Sequence, residues 1–170
     1  MKTILSFILL FTLSVSYSQE IKGAYGYNLG DEIKEKKSVG ITKKPFRNFK
    51  NYNIIFTPET KKISTILIWM KYQYPVQGEE ETIIIKNVLE KKYKDEFKKI
   101  ETNHSKKNQI EIYRLTKGTR EIQIENRKKK REIILIYEDK ILQKQRNQEL
   151  KESHEKRIRE GINSENIDLL

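Results

Sequence analysis

The run "ISTILIWMKY" at residues 63–72 decides how the rest of the chain is read. It is dense in β-branched and aromatic residues, which suit a pleated strand. Just before it lie "YNIIF" (52–56) and the polar "TPETKK" (57–62). Proline, threonine and lysines between two such runs predict a β-hairpin. In the longer strand both parities are apolar, with Ile66, Ile68 and Met70 on one side and Leu67 and Trp69 on the other. A strand apolar on both sides belongs inside a sheet, so a covering layer is expected on each face.

Working outward, "YPVQGEEE" (74–81) breaks the strand and opens a helix over 80–98, with glutamates in its first turn where the macrodipole favours them. Ile85, Val88, Leu89, Tyr93 and Phe97 recur at helical spacing on one face. After a polar loop at 101–108 come three strands, 109–115, 120–126 and 132–137, joined by "TKGT" and "RKKK" turns. Residues 138–160 then read as a strongly charged helix with Gly161 as its stop. The tail 161–170 reads as frayed.

Towards the N-terminus, "KKPFRNFK" (43–50) is irregular and basic, with Phe46 and Phe49 expected to turn inward. "GAYGYNLGDEI" (23–33) reads as a short opening strand, with Asp31 capping a short helix to about residue 37. Its glycine spacing does not fit a dinucleotide fingerprint. The fold class expected is α+β: an antiparallel sheet made of hairpin, helix and three-stranded meander, followed by a long charged helix.

Residues 1–18 stand apart from this domain. Lys2 gives a positive start, "TILSFILLFTLSV" (3–15) is uncharged and mostly apolar, and Ser16 and Ser18 place small residues at −3 and −1 of a cut before Gln19. This is the anatomy of a secretory signal peptide. The apolar run is shorter than the ~20 residues a spanning helix needs. No later segment is apolar enough to cross a bilayer, so no transmembrane segment is expected after cleavage. The expected division is a leader at 1–18, a globular domain at 19–137, a charged helix at 138–160 and the tail.

The chain has no cysteine. Disulfides, thiolate zinc sites and lipid attachment through an N-terminal cysteine are thereby excluded. An exported domain stabilised by packing alone suits a bacterial periplasmic or secreted protein. The formal charge is +11, one less once Lys2 leaves with the leader. Such a balance favours anionic partners, although lysine dominates over the arginine that bidentate phosphate recognition would use.

Chemistry-bearing motifs are sparse. Of the two histidines, His104 lies in "TNHSKK" beside Ser105, and a nucleophile adjacent in sequence to its base is not a triad. His154 has Leu150 and Ile158 at i−4 and i+4, so no second metal ligand sits a turn away. Glu79, Glu80 and Glu81 are explained by a helix start. GxSxG, HExxH, P-loop and calcium-loop spacings are lacking, and nothing points to a catalytic residue, cofactor or metal. The sharpest charge feature is the basic turn Arg127, Lys128, Lys129, Lys130 and Arg131, a candidate anion contact and equally a solvated hairpin tip. Nucleic acid is not expected, because Tyr113 and Tyr137 near this turn sit in strands. Tyr25, Tyr27, Tyr52, Tyr72 and Tyr74 are expected to pack.

The order of features resembles small exported bacterial α+β proteins of uncharacterised function. The resemblance rests on G-x-x-G-Y-x-x-G at 23–30, "LEKKY" at 89–93 and "IILIYED" at 133–139. The chain departs from that pattern at Lys94, where a glycine often ends the helix. The resemblance implies an envelope-associated α+β domain and carries over no catalytic residue. Three functions follow as expectations. The first is a non-enzymatic domain binding another envelope component through its sheet face or C-terminal helix. The second is a small hydrolase or carbohydrate-active enzyme using Asp or Glu, and the third an anionic-surface binder acting through residues 127–131.

Overall fold

The computed structural model describes residues 19–33 and 48–165. The hairpin read from 52–72 is present as β3 (Asn51–Phe56) and β4 (Ile63–Lys71), preceded by two short strands, β1 (Gly23–Ala24) and β2 (Tyr27–Asn28). Then follow α1 (Pro75–Tyr93), β5 (Lys98–Ile100), α2 (Asn103–Asn108), β6 (Ile110–Lys117), β7 (Arg120–Arg127), β8 (Glu132–Asp139) and α3 (Lys140–Glu165). β3 to β8 form one open six-stranded sheet in the order β3-β4-β8-β7-β6-β5, antiparallel throughout. The fold is α+β, as the hydrophobic pattern indicates. Among the described residues no helix is long and apolar enough to cross a membrane.

One face of the sheet carries the core. Ile66, Ile68 and Met70 of β4 sit beside Ile133, Leu135 and Tyr137 of β8 and Ile122 and Ile124 of β7, all buried. Ile85, Leu89 and Tyr93 of α1 belong to the same core, together with Ile21, Tyr25, Tyr27, Leu29 and Phe49. Phe49 therefore turns inward as expected, while Phe46 lies outside the described residues.

Helix α1 is fastened by a buried polar knot. The Tyr72 hydroxyl donates to Asn126 Oδ1 at 2.8 Å, and Asn126 Nδ2 donates to Gly78 O and Thr82 Oγ1 at 3.1 and 3.2 Å. Thr82 Oγ1 donates back to Gly78 O at 2.7 Å. Every buried polar atom of Asn126 thus has a partner, which removes the cost of burying it. Position 78 must be glycine here, because a Cβ would collide with the Tyr72 ring.

Several expectations need correcting. Helix α1 starts at Pro75, whose fixed φ suits a first helical position, and not at residue 80. It ends at Tyr93 because Lys94 adopts a left-handed φ of 50° and its N–H bonds to Glu90 O. Phe97 is buried beyond the helix, whereas Val88 is 43% exposed and not part of the buried stripe. Glu79 to Glu81 therefore lie past the first turn, and Glu79 serves instead as an ion-pair partner of Lys128 at 3.0 Å.

The expected loop at 101–108 contains α2, whose capping box joins Thr102 and Ser105 reciprocally at 2.8 and 2.9 Å. Asp31 caps no helix at its own position. Ile63 N donates to Asp31 O, Ile33 N donates to Lys61 O, and Glu32 bridges Lys62, so this segment runs extended beside the start of β4. The remainder of that expected helix, 34–37, lies outside the described residues. Helix α3 runs through Gly161 to Glu165, so glycine does not end it. An interior glycine costs only about 1 kcal/mol, too little to stop an established helix.

The opening glycine segment folds as a small hairpin. Ala24 pairs with Tyr27, leaving Tyr25 and Gly26 as a two-residue turn with φ of 57° and 90°. Positive φ at both central positions is the type I′ turn that matches strand twist. The Tyr25 hydroxyl donates to Phe49 O at 3.0 Å, which pins the turn on the core.

Candidate functional site: the open sheet face and its basic corner

The second face of the sheet is less covered than its apolar pattern suggests. Leu67 pairs with Ile136 and Trp69 with Ile134, and all four side chains are half-buried. A full covering layer was expected there. Helix α3 instead docks at one end of the sheet, where Glu149 accepts from Glu59 N at 2.8 Å and Gln145 donates to Thr60 Oγ1 at 3.1 Å. Beyond Leu150 the side chains of α3 are largely exposed through residue 160, including Ile158 at 48%.

Around the apolar row the same face carries charge. Glu121 and Glu138 stand directly opposite each other on β7 and β8. Arg114 Nε approaches Glu121 Oε1 at 3.4 Å and Lys140 Nζ approaches Oε2 at 2.8 Å, so this buried carboxylate is neutralised from two sides. Burial, and then the charge of Glu121, push the Glu138 carboxyl above its usual range.

At one corner of this face the basic turn forms a single 3₁₀ turn, Lys128–Lys130, closed by Arg131 at φ 50°. Its five cations have different fates. Arg127 pairs with Glu125 at 2.7 Å, and Arg131 Nη1 donates to Gln73 O at 3.1 Å. Lys128 meets Glu79 at 3.0 Å and Glu111 at 3.4 Å, and the Glu79 hydrogen bond raises its pKa. Lys129 donates only to the Lys107 carbonyl, and Lys130 has no partner among the described residues. The run of five therefore presents two uncompensated ammonium groups, because Lys128 ties the turn to α1 and β6, Arg131 ties it to the connection before α1, and Arg127 pairs within β7.

Two clefts flank α2 beside this turn. One, of about 330 Å³, is lined by His104, Asn108, Ile110, Ile112, Lys129 and Lys130, with Arg127 and Glu125 at its side. The other, of about 450 Å³, includes Lys99, Glu101, Lys106, Glu111 and Lys128. Its cations are matched internally, Lys106 by Glu101 at 3.2 Å and Lys99 by Glu111 at 3.7 Å. Neither Glu121 nor Glu138 lines either cleft.

The remaining candidates fall elsewhere. Ser105 is consumed in the α2 cap, donating to Thr102 O at 2.8 Å. His154 is exposed on α3. Tyr25, Tyr27 and Tyr72 are buried; Tyr27, stacked on Tyr52 at 6.0 Å, is pushed up to about 12 by burial and by its bond to that phenol. Tyr74 differs from expectation and is 69% exposed. Among the described residues no three metal-ligating side chains come together.

A residue that sequence reasoning missed is Arg120. It donates to Asp139 Oδ2 at 3.1 Å, to Glu20 Oε1 at 2.8 Å, to Ile21 O at 3.0 Å and to Leu29 O at 3.0 Å. Asp139 Oδ1 meanwhile accepts from Ile141 N and Leu142 N, capping α3. One guanidinium thus ties the start of the domain to the sheet and to the C-terminal helix. Only its place in a "KGTR" turn marked it in sequence. Compared with protein-family models, with curated proteins and with solved structures, the chain matches none.

Proposed function

We propose that this chain is an exported, non-enzymatic binding domain of the bacterial envelope that docks a protein partner on the open face of its sheet. The observation that carries the reading is the half-buried row Leu67, Trp69, Ile134 and Ile136, on the face turned away from the core. An apolar centre containing tryptophan, ringed by ion-paired Arg114, Arg127 and Lys140, has the composition of a protein interface. The leader anatomy at 1–18 supports export. Glu20, the second residue past the expected cut, already engages Arg120. The hydrolase reading finds less support, because Glu121 is held by two cations outside both clefts.

Site-specific photo-crosslinking in the native envelope tests the reading. A photoreactive residue at 69 or 136 should give one discrete protein adduct. The comparison position is Ile83, 57% exposed on the outer face of α1. Adducts at 83 but not at 69 and 136, or none at either face, would contradict the proposal.

A further inference from the structure

The geometry points to a second, separate site: the cleft between α2 and the basic turn binds a small organic anion, a phosphate or carboxylate carried on an apolar body. This does not rest on the docking of a protein to the sheet face. The cleft's volume of about 330 Å³ falls in the range of small-molecule sites. Its floor is apolar, from Ile110 and Ile112, and its rim is cationic, from Lys129 and Lys130. No carboxylate pairs with either lysine among the described residues, whereas the neighbouring cleft neutralises its own cations. Glu125, the one acidic group lining the cleft among the described residues, is committed to Arg127 at 2.7 Å.

The walls are held in place before any ligand arrives. Lys128 N donates to Gln109 O at 3.2 Å, joining the basic turn to the end of α2. Gln109 and Arg131, which close the two walls, both take left-handed φ near 50° without being glycine. They are the left-handed caps that end α2 and the basic turn, so the backbone on both sides of the cleft is closed off by turn geometry. Asn108 Nδ2 donates to His104 O at 3.0 Å and lies 3.2 Å from His104 Nδ1. With Nδ1 accepting, the imidazole carries its hydrogen on Nε2 and becomes a third donor for an anion. Together the groups provide a charged end and an apolar end, so neither a bare inorganic ion nor a neutral apolar molecule satisfies the whole cleft.

Phenyl phosphate is the probe, measured by isothermal titration and by amide chemical shifts, with inorganic phosphate as its headgroup alone. Phenyl phosphate should bind about ten-fold more tightly than inorganic phosphate, since the ring adds apolar burial. Shifts should cluster at 104–112 and 127–131 in the unaltered chain. Lys129→Gln with Lys130→Gln should weaken binding about ten-fold or more, as loss of charge-assisted bonds requires. The charge-matched control, Lys151→Gln with Lys156→Gln on α3, should leave it unchanged. Ile110→Thr should weaken phenyl phosphate and spare inorganic phosphate. Competition with phosphatidylglycerol vesicles separates the sources: displacement of the probe identifies a lipid headgroup, and its retention a soluble anion. Equal affinity for the two phosphates, equal loss in both charge variants, or shifts scattered over the surface would overturn the proposal.

Discussion

Gly78 is the residue on which the helix-to-sheet contact turns, since the Tyr72 ring lies against the helix backbone there and reaches Asn126 beneath. Gly78→Ala should destabilise the fold by about 1–3 kcal/mol through overpacking, despite alanine's better helix propensity. Denaturant unfolding with an unchanged slope would measure it. Glu138 supplies the opposite case. Burial and the facing Glu121 raise its folded pKa above the usual 4.5, so the native state holds that proton more tightly than the unfolded chain. Stability then falls as pH rises from 4.5 through the folded value. Glu138→Gln should raise the melting temperature at pH 7 and flatten its pH dependence across that window, without effect well below it. Neither residue advertised itself in sequence. Gly78 looked like punctuation before a helix, and the Glu121–Glu138 pairing exists only once β7 and β8 are in register.

At the scale of elements, both long helices are held by devices at particular points. Lys94 ends α1 in a left-handed conformation that glycine adopts without steric cost. Lys94→Gly should therefore stabilise the protein by about 1 kcal/mol, read by the same unfolding measurement. Helix α3 depends on Glu149, whose carboxyl is held below the usual range first by the Glu59 backbone N–H and then by Gln145 and Thr60. A depressed folded pKa contributes stability at neutral pH and loses it as pH falls through the folded value. Hydrogen exchange from pH 7 to about pH 3 should show amides 142–150 losing protection before those of β4 and β8. The β3–β4 hairpin, α1 and the meander were legible because each has a periodic apolar signal, and α3 because a long charged run without a strand pattern or turn cluster follows the last strand. β5 and α2 were not, since three residues of strand and six of polar helix carry no usable period. Their positions are set by pairing with β6 and by the Thr102–Ser105 cap.

For the whole molecule, apolar residues on both parities of β4 correctly placed it inside the sheet and misled about its cover. The core face is sealed by α1 and the N-terminal hairpin, while the face bearing Trp69 stays half-buried. Periodicity reports which residues avoid water; it does not say whether the layer above comes from the same chain. The basic turn shows the same limit. Its charge was plain in sequence, but Glu79 and Glu111, which neutralise Lys128, are contributed by two other elements, α1 and β6. Docking on the open face is the central claim, and Trp69, the chain's single tryptophan, lies on it. Hydroxyl-radical labelling of the purified protein and of the protein in its native envelope, read by mass spectrometry, tests it directly. Trp69 should be oxidised in isolation and protected in the envelope, with Tyr74 labelled equally in both. Equal labelling of Trp69 in the two settings, or protection of Tyr74 instead, would contradict it.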